Sequence, residues 1–272
     1  MARFLRQEHK TDEVQWHGDD ISFGKDDGFT RLMFHNVNGL TLNGTDGLEM
    51  FVNDQISLEI DIQGITEHCL DTTKYPVYQT AQEIVQRQAP GQSLLALHSS
   101  EESALNLYKP GGTGFLVLGE TVSRLESNGI HGDSMGRWSC LHLRRRNQPP
   151  LTIITAYQVC PRPTNLLGNT AFHQQSRSLS ARGDPNLHPR EAFVQDIEAY
   201  IQTLQARGHD IIFGGDFNES LSDRNSGVSK LVTTLNLTDP FLSKFPQHPT
   251  FGTHAQGSRR IDMVFVSHNL MD

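Results

Sequence analysis

The sequence predicts a mixed α/β sandwich. Short apolar runs rich in β-branched residues alternate with helical stretches through the first half of the 272 residues, and runs paired across a turn follow in the middle. Alternation packs helices against a sheet, and paired runs bring antiparallel strands into the same domain. A third observation is that the runs end in polar side chains: Asn36 and Asn38, Glu67, Tyr157, Asp216 and Asn218, and Asp262. Successive polar strand ends read as one site.

Composition limits the alternatives. Hydrophobic residues make up 36% of the chain, enough for a substantial core. The formal charge of −8 excludes a global basic field, so a polyanion has to be bound locally. Cys69, Cys140 and Cys160 are odd in number and far apart. They are expected to be buried small hydrophobes in a reducing compartment, which makes the protein intracellular, nuclear or cytoplasmic, and not secreted. No apolar stretch approaches the roughly 18 residues that span a bilayer, so no membrane insertion is expected.

Residues 1–28 mix charges with glycines and show neither periodicity, which predicts a flexible leader onto which Trp16 can still fold back. One domain is expected over 29–272. Its first strand, 30–35, runs into Asn36-Val37-Asn38-Gly39, and Asp46 and Glu49 stand at capping-box spacing ahead of Leu48, Val52 and Ile56, so a helix follows to 59. A second strand, 61–66, ends in Glu67-His68. A helix over 80–88 leads to a strand at 93–97, and the glycine-rich 109–114 is expected to be a turn, since it lacks the order of a nucleotide-binding loop.

A strand at 115–119 and an antiparallel pair, 137–144 with 151–157, come next. Arg144, Arg145 and Arg146 are expected at a solvated loop tip. Residues 161–188 lack clear periodicity, which predicts a functional loop or a disordered insertion. Pro189 opens the best helix, with Phe193, Ile197, Ile201 and Leu204 as its stripe and Gly208 as its stop. After the strand from 210 to 213, a short helix over 228–235 and a last strand at 263–266 complete the set.

The stretch 211–219 is the centre of this organisation. Its apolar run is what a strand covered on both faces looks like, and Gly214 and Gly215 remove side chains where another group approaches or the backbone turns. In Asp216-Phe217-Asn218 a carboxylate and an amide lie two residues apart. Such a pair can orient a water and hold a phosphate oxygen. A plain strand-end turn has the same residue types.

On Asn36-Val37-Asn38-Gly39-Leu40, the strand-end Glu67, Thr155-Ala156-Tyr157, Gly215-Asp216-Phe217-Asn218 and Arg259-Arg260-Ile261-Asp262, the chain resembles the endonuclease/exonuclease/phosphatase superfamily. The motifs look most like those of apurinic/apyrimidinic endonucleases and of the endonuclease domains of non-LTR retrotransposons. The resemblance implies a four-layered α/β sandwich of two packed mixed sheets and a metal-dependent phosphodiester hydrolase, an endonuclease acting on DNA. By the same resemblance Glu67 binds Mg²⁺ or Mn²⁺ with Asn36 and Asn38 beside it. Asp216 orients or deprotonates the attacking water, Asn218 and Tyr157 hold the phosphate, and Asp262 orients a catalytic histidine. An all-oxygen donor set independently suits such a hard cation.

Two departures qualify the likeness. Tyr157-Gln158-Val159-Cys160 stands where the apurinic endonucleases have Tyr-x-x-Asn, and the family's last motif, Ser-Asp-His on a final strand, is absent. The sandwich is therefore expected to lack its last strand, as a C-terminally truncated domain. A phosphoinositide, sphingolipid or nucleotide phosphoesterase, and a weak or inactive remnant of a retroelement endonuclease, are the alternatives.

Overall fold

The computed structural model describes residues 24–44, 47–102, 108–162, 168–247, 251–253 and 257–271. Among these, a four-stranded sheet orders β1 (Leu32–Asn36), β2 (Ile62–Thr66), β4 (Thr113–Leu118) and β3 (Ser93–His98) from edge to edge. A six-stranded sheet runs β5 (Leu125–Gly132), β6 (Trp138–Leu143), β7 (Leu151–Tyr157), β8 (Asp210–Asp216), β10 (Asp262–Ser267) and β9 (Leu237–Thr238). Only β1 with β2 and β7 with β8 pair in parallel, so both sheets are mixed.

Three apolar clusters build four layers. Helices α1 (Leu48–Ser57) and α2 (Tyr75–Gln88) set Phe51, Val52, Ile84 and Val85 against Ile65, Leu95 and Leu116 of the first sheet. Helices α4 (Pro189–Ala206) and α5 (Gly227–Thr234) set Phe193, Ile197 and Leu231 against Ile154, Phe213 and Phe265 of the second. Between the sheets lie Ile62, Phe115, Val117, Leu141 and Ile153. Side chains alternate across a strand, so Phe115 and Val117 enter the middle core while Leu116 enters an outer one. Burial on both faces is why these strands read as unbroken apolar runs.

The two glycines of the central stretch have separate jobs. A Cβ on Gly214 would stand 2.6 Å from the Phe34 ring, and one on Gly64 would stand 2.7 Å from the same ring. Phe34 is thus wedged between the sheets, opposite two positions that have no side chain. Gly215 has a φ of +142° and its Cβ would meet the Ala156 carbonyl oxygen at 2.0 Å, so there the backbone itself requires glycine. The wedge sets the distance between the ends of β1 and β8.

Several elements differ from the expectation. Residues 161–188 contain a helix, α3 (Ala171–Ala181), that buries Phe172 and Leu179 but also Gln174, Gln175 and Ser176. Its inner face is largely polar, so no apolar period marks it. Edge strand β5 was hidden for a related reason: its register shifts between Leu125 and Ile130, which breaks the alternation. β9 and α6 (Pro240–Lys244) are too short to show a period.

Arg145 is not solvated. Its guanidinium pairs with Asp210 and donates to the Pro149 carbonyl at 2.7 Å, tying the loop to the start of β8. Of the expected leader, Lys25 is described, and its Nζ pairs with Asp61 at 2.5 Å. Trp16, and Asp46 of the expected capping box, lie outside the described residues; α1 begins after Gly47, which makes no side-chain cap. Among the described residues no helix is long and apolar enough to cross a membrane.

The wedge is testable by packing. Gly214→Ala should destabilise the chain by about 1–3 kcal/mol through forced overpacking. Phe34→Leu in the same chain should recover part of that loss, measured by urea unfolding.

Candidate active site

The site is assembled from strand ends of both sheets. Asn36 closes β1 beside Thr66, the last residue of β2, and Glu67 follows at once. In the other sheet Asp216 ends β8 between Tyr157 of β7 and Asp262 of β10, its register partners on either side. Asn36 joins the two groups: its Nδ2 donates to Glu67 Oε2 at 3.0 Å and to Asp216 Oδ2 at 2.8 Å. Its Oδ1 accepts the Asn38 backbone N–H at 2.9 Å, which fixes the way the amide faces.

Asn38 enters the arrangement through its backbone, and its side chain is exposed. Asn218 is held by four bonds, the longest from its Nδ2 to Asp216 Oδ2 at 3.4 Å. Its N–H donates to Asp216 Oδ1 at 2.9 Å, its Nδ2 donates to the Gln158 carbonyl at 2.8 Å, and its Oδ1 accepts from the Cys160 thiol at 2.9 Å. The buried Tyr157 hydroxyl bonds the Glu67 carboxylate, and burial together with that negative charge pushes its pKa well above the ordinary phenol value. Cys160 is the residue that sequence reasoning misplaced. It is exposed rather than buried, and it contacts a site residue from the position where the resembling motif carries an amide.

Three site residues sit in strained backbone. Asn38, Glu67 and Asn218 have φ of 47°, 54° and 50°, in the left-handed region that non-glycine residues avoid at a cost on the order of 1–3 kcal/mol each. Neighbouring backbone holds Glu67 in place: its N–H donates to the Gly112 carbonyl at 2.8 Å and its carbonyl accepts from Gly39 at 2.7 Å. The glycine-rich 109–114 therefore does more than turn the chain. A Cβ on Gly112 would stand 2.4 Å from the His68 ring, so only glycine lets this segment back the Glu67 turn.

His68 is structural. It is fully buried, its Nδ1 accepts from the Leu70 N–H at 3.1 Å, and its Nε2 lies 3.1 Å from the His98 carbonyl, to which it donates. Burial lowers its pKa to about 4, which keeps it neutral. Asp262 is set by Thr253, whose Oγ1 accepts the backbone N–H groups of Ile261 and Asp262 at 3.0 Å each. Arg260 anchors the same turn from beneath with a two-pronged bond to Asp239 at 2.6 and 3.1 Å. Among the described residues the Asp262 charge acts on His35, whose pKa is nevertheless lowered because desolvation outweighs the Asp262 and Asp54 charges.

Electrostatics single out Asp216. Its pKa is pushed up to about 7, first by burial and then by the Asp262 carboxylate, with Glu67 adding to the rise; bonds from Asn218 and Asn36 only partly offset this. A buried carboxylate that feels two further carboxylate charges, in a site with oxygen donors alone, fits a small hard cation. Clefts open on both sides of them. One of about 300 Å³ is lined by Glu67, Tyr108, Tyr157, Cys160 and Arg162. The other, of about 410 Å³, lies between β1 and β10 and is lined by Phe34, Asn36, Phe241, Phe251 and Asp262.

The profile of the Endonuclease/Exonuclease/phosphatase family matches residues 82–271. The chain belongs to this family. Its fold is that of a phosphodiesterase or nuclease-type hydrolase, and it superposes on several solved structures. An AP endonuclease, LMAP, from Leishmania major is 15% identical with a TM-score of 0.62, over 89% of this chain and 80% of that one. A 3'-5' exonuclease, NExo, from Neisseria meningitidis is 16% identical with a TM-score of 0.54, over 88% of each chain. The human nocturnin catalytic domain is 13% identical with a TM-score of 0.52, over 88% of this chain and 83% of that one. Identities this low establish the shared fold alone. No curated protein sequence matches the chain.

The raised Asp216 pKa makes a prediction about stability. An unfolded aspartate titrates near 3.9, so between about 4 and 7 the folded chain binds more protons than the unfolded one. The Asp216 contribution should therefore be most favourable at low pH, decline as pH rises through this window, and level off above it. Urea unfolding in EDTA across pH 4–8 should show that decline in the parent and lose it in Asp216→Asn. An identical slope in both would reassign the perturbed group.

Proposed function

We propose that the chain is a divalent-cation-dependent phosphodiesterase, an endonuclease that cuts DNA in the nucleus or cytoplasm. The observation that carries this is the Asn36 amide shared by Glu67 and Asp216, because it brings the carboxylates of two sheets to one point. Glu67, with Asn36 and Asn38 beside it, would hold Mg²⁺ or Mn²⁺, which when bound offsets charge developing on the phosphate and the leaving oxygen. Asp216 orients the attacking water and takes its proton; a carboxylate with a pKa near 7 is a better base at neutral pH than an ordinary one. Asn218 and the Tyr157 hydroxyl supply donors for the non-bridging phosphate oxygens.

Asp262 faces Asp216 across the strand pair and keeps its pKa raised. DNA as substrate is supported by the likeness to an AP endonuclease and to NExo, of which one structure holds a product DNA hairpin. The net charge of −8 favours a second reading, a smaller phosphoester that needs no extended basic surface.

A panel of abasic, nicked and plain DNA, RNA and a phosphoinositide, each with Mg²⁺ or EDTA, separates these. Cleavage of DNA that EDTA abolishes is the expected result; hydrolysis of the phosphoinositide alone would overturn the choice of substrate. Asp216→Asn should lower kcat by roughly 10²–10⁴ with KM little changed, since the group acts on the water in the transition state. Glu67→Gln should raise the Mg²⁺ concentration needed for half-maximal rate while leaving the melting temperature near that of the parent.

A further inference from the structure

A second cluster of ligating side chains lies far from these carboxylates. His131 of β5 and Cys140 of β6 are register partners, and His142 follows Cys140 by two residues on the same face of the sheet. Thr152, which contacts this cluster, pairs with Ile211, whereas Tyr157 pairs with Asp216. Five residues of strand put roughly 17 Å between the two places.

The geometry converges. His142 Nε2 lies 3.3 Å from His131 Nε2 and 4.0 Å from Cys140 Sγ, and the three ligand atoms all fall within 4.8 Å of one another. Metal–nitrogen bonds of about 2.0–2.1 Å at a tetrahedral centre separate two nitrogens by roughly 3.3 Å, so the imidazoles already stand at ligand spacing and the sulfur has to move closer to them. Tyr200 of α4 faces the fourth side, its hydroxyl 3.0 Å from His131 Nε2 and 2.9 Å from Cys140 Sγ. The outer partners fix the right tautomer. His142 Nδ1 stands 2.7 Å from Thr152 Oγ1, which in turn lies 2.9 Å from His209 Nδ1. With His142 Nδ1–H donating to the threonine, its Nε2 lone pair points into the cluster, as metal-binding histidines require. Cys140 is buried and His131 is exposed, so the cluster has a protected ligand and an open approach.

We propose that His131, Cys140 and His142 bind a Zn²⁺ ion, with the Tyr200 hydroxyl on its fourth side. One thiolate and two imidazoles suit zinc, whereas the all-oxygen carboxylate site suits magnesium, so the chain sorts two cations by donor softness. Binding releases the Cys140 proton, while His131 shifts its single ring proton from Nε2 to Nδ1 so that a neutral imidazole faces the ion. The ion's role is mechanical: β5 is an edge strand with broken register, and the ion staples its end to β6 next to α4.

The test uses the whole chain, stripped with EDTA and returned to excess Mg²⁺ so that the oxygen site is filled. Zn²⁺ titration should show one equivalent bound and a higher melting temperature. Co²⁺ in its place should give the intense visible bands of a tetrahedral site and a thiolate-to-cobalt charge-transfer band. That band should vanish in Cys140→Ser and persist in Cys160→Ser and in Glu67→Gln. His131→Gln, at an exposed position that leaves the fold intact, should weaken Zn²⁺ affinity at least tenfold, and Thr152→Val should weaken it by about 10–100-fold through the lost tautomer control. Absence of a thiolate band, a band that follows Cys160 instead, or zinc binding lost only in Glu67→Gln would each overturn the proposal.

Discussion

Two carboxylates from different sheets share the N–H groups of a single amide, and much of the structure serves to make that possible. Asn36 can reach Glu67 and Asp216 together only if β1 and β8 end at the same height and the sheets stand at one particular separation. The Phe34 ring, seated against Gly64 and Gly214, sets that separation from within the middle core. Packing in the interior and hydrogen bonding at the rim are thus one problem, solved by two residues of a single strand, Phe34 and Asn36, that share one side of its pleat.

The cost of the arrangement is local. Asp216 sits buried among like charges, and three side chains of the rim hang from backbone in left-handed conformations. Stability lost there has to be supplied by the cores around it, whose clusters include fully buried Phe115, Phe193, Phe213, Phe217 and Phe265. A folded ensemble that keeps a strained, negatively charged rim is poised for a ligand that relieves the repulsion.

Much of this was legible in the sequence, and the reasons are specific. β8 was plain because burial on both faces leaves the apolar run Ile211-Ile212-Phe213, and α4 because its stripe keeps a strict period from Phe193 to Leu204. The polar residues that follow such runs are easy to pick out as candidates, whatever chemistry they carry. What pattern could not supply was the bonding: that Asn36 bridges, that Cys160 touches Asn218, and that Gly112 gives way to His68. These depend on which strand ends meet in space. α3 and β5 stayed hidden because one buries glutamines and the other breaks its own alternation.

The sharing of strands between cores has a dynamic consequence. In β4, Phe115 and Val117 belong to the middle core while Leu116 belongs to the layer under α1 and α2; in β7, Ile153 and Ile154 divide in the same way. Peeling an outer helix away exposes one side of strands whose other side locks the opposite sheet, so loosening one layer weakens the next. The chain has little capacity to open piecemeal through its centre, because β4 and β7 each belong to two cores at once. Motion is left to the rim and to the edge strands β1, β3, β5 and β9.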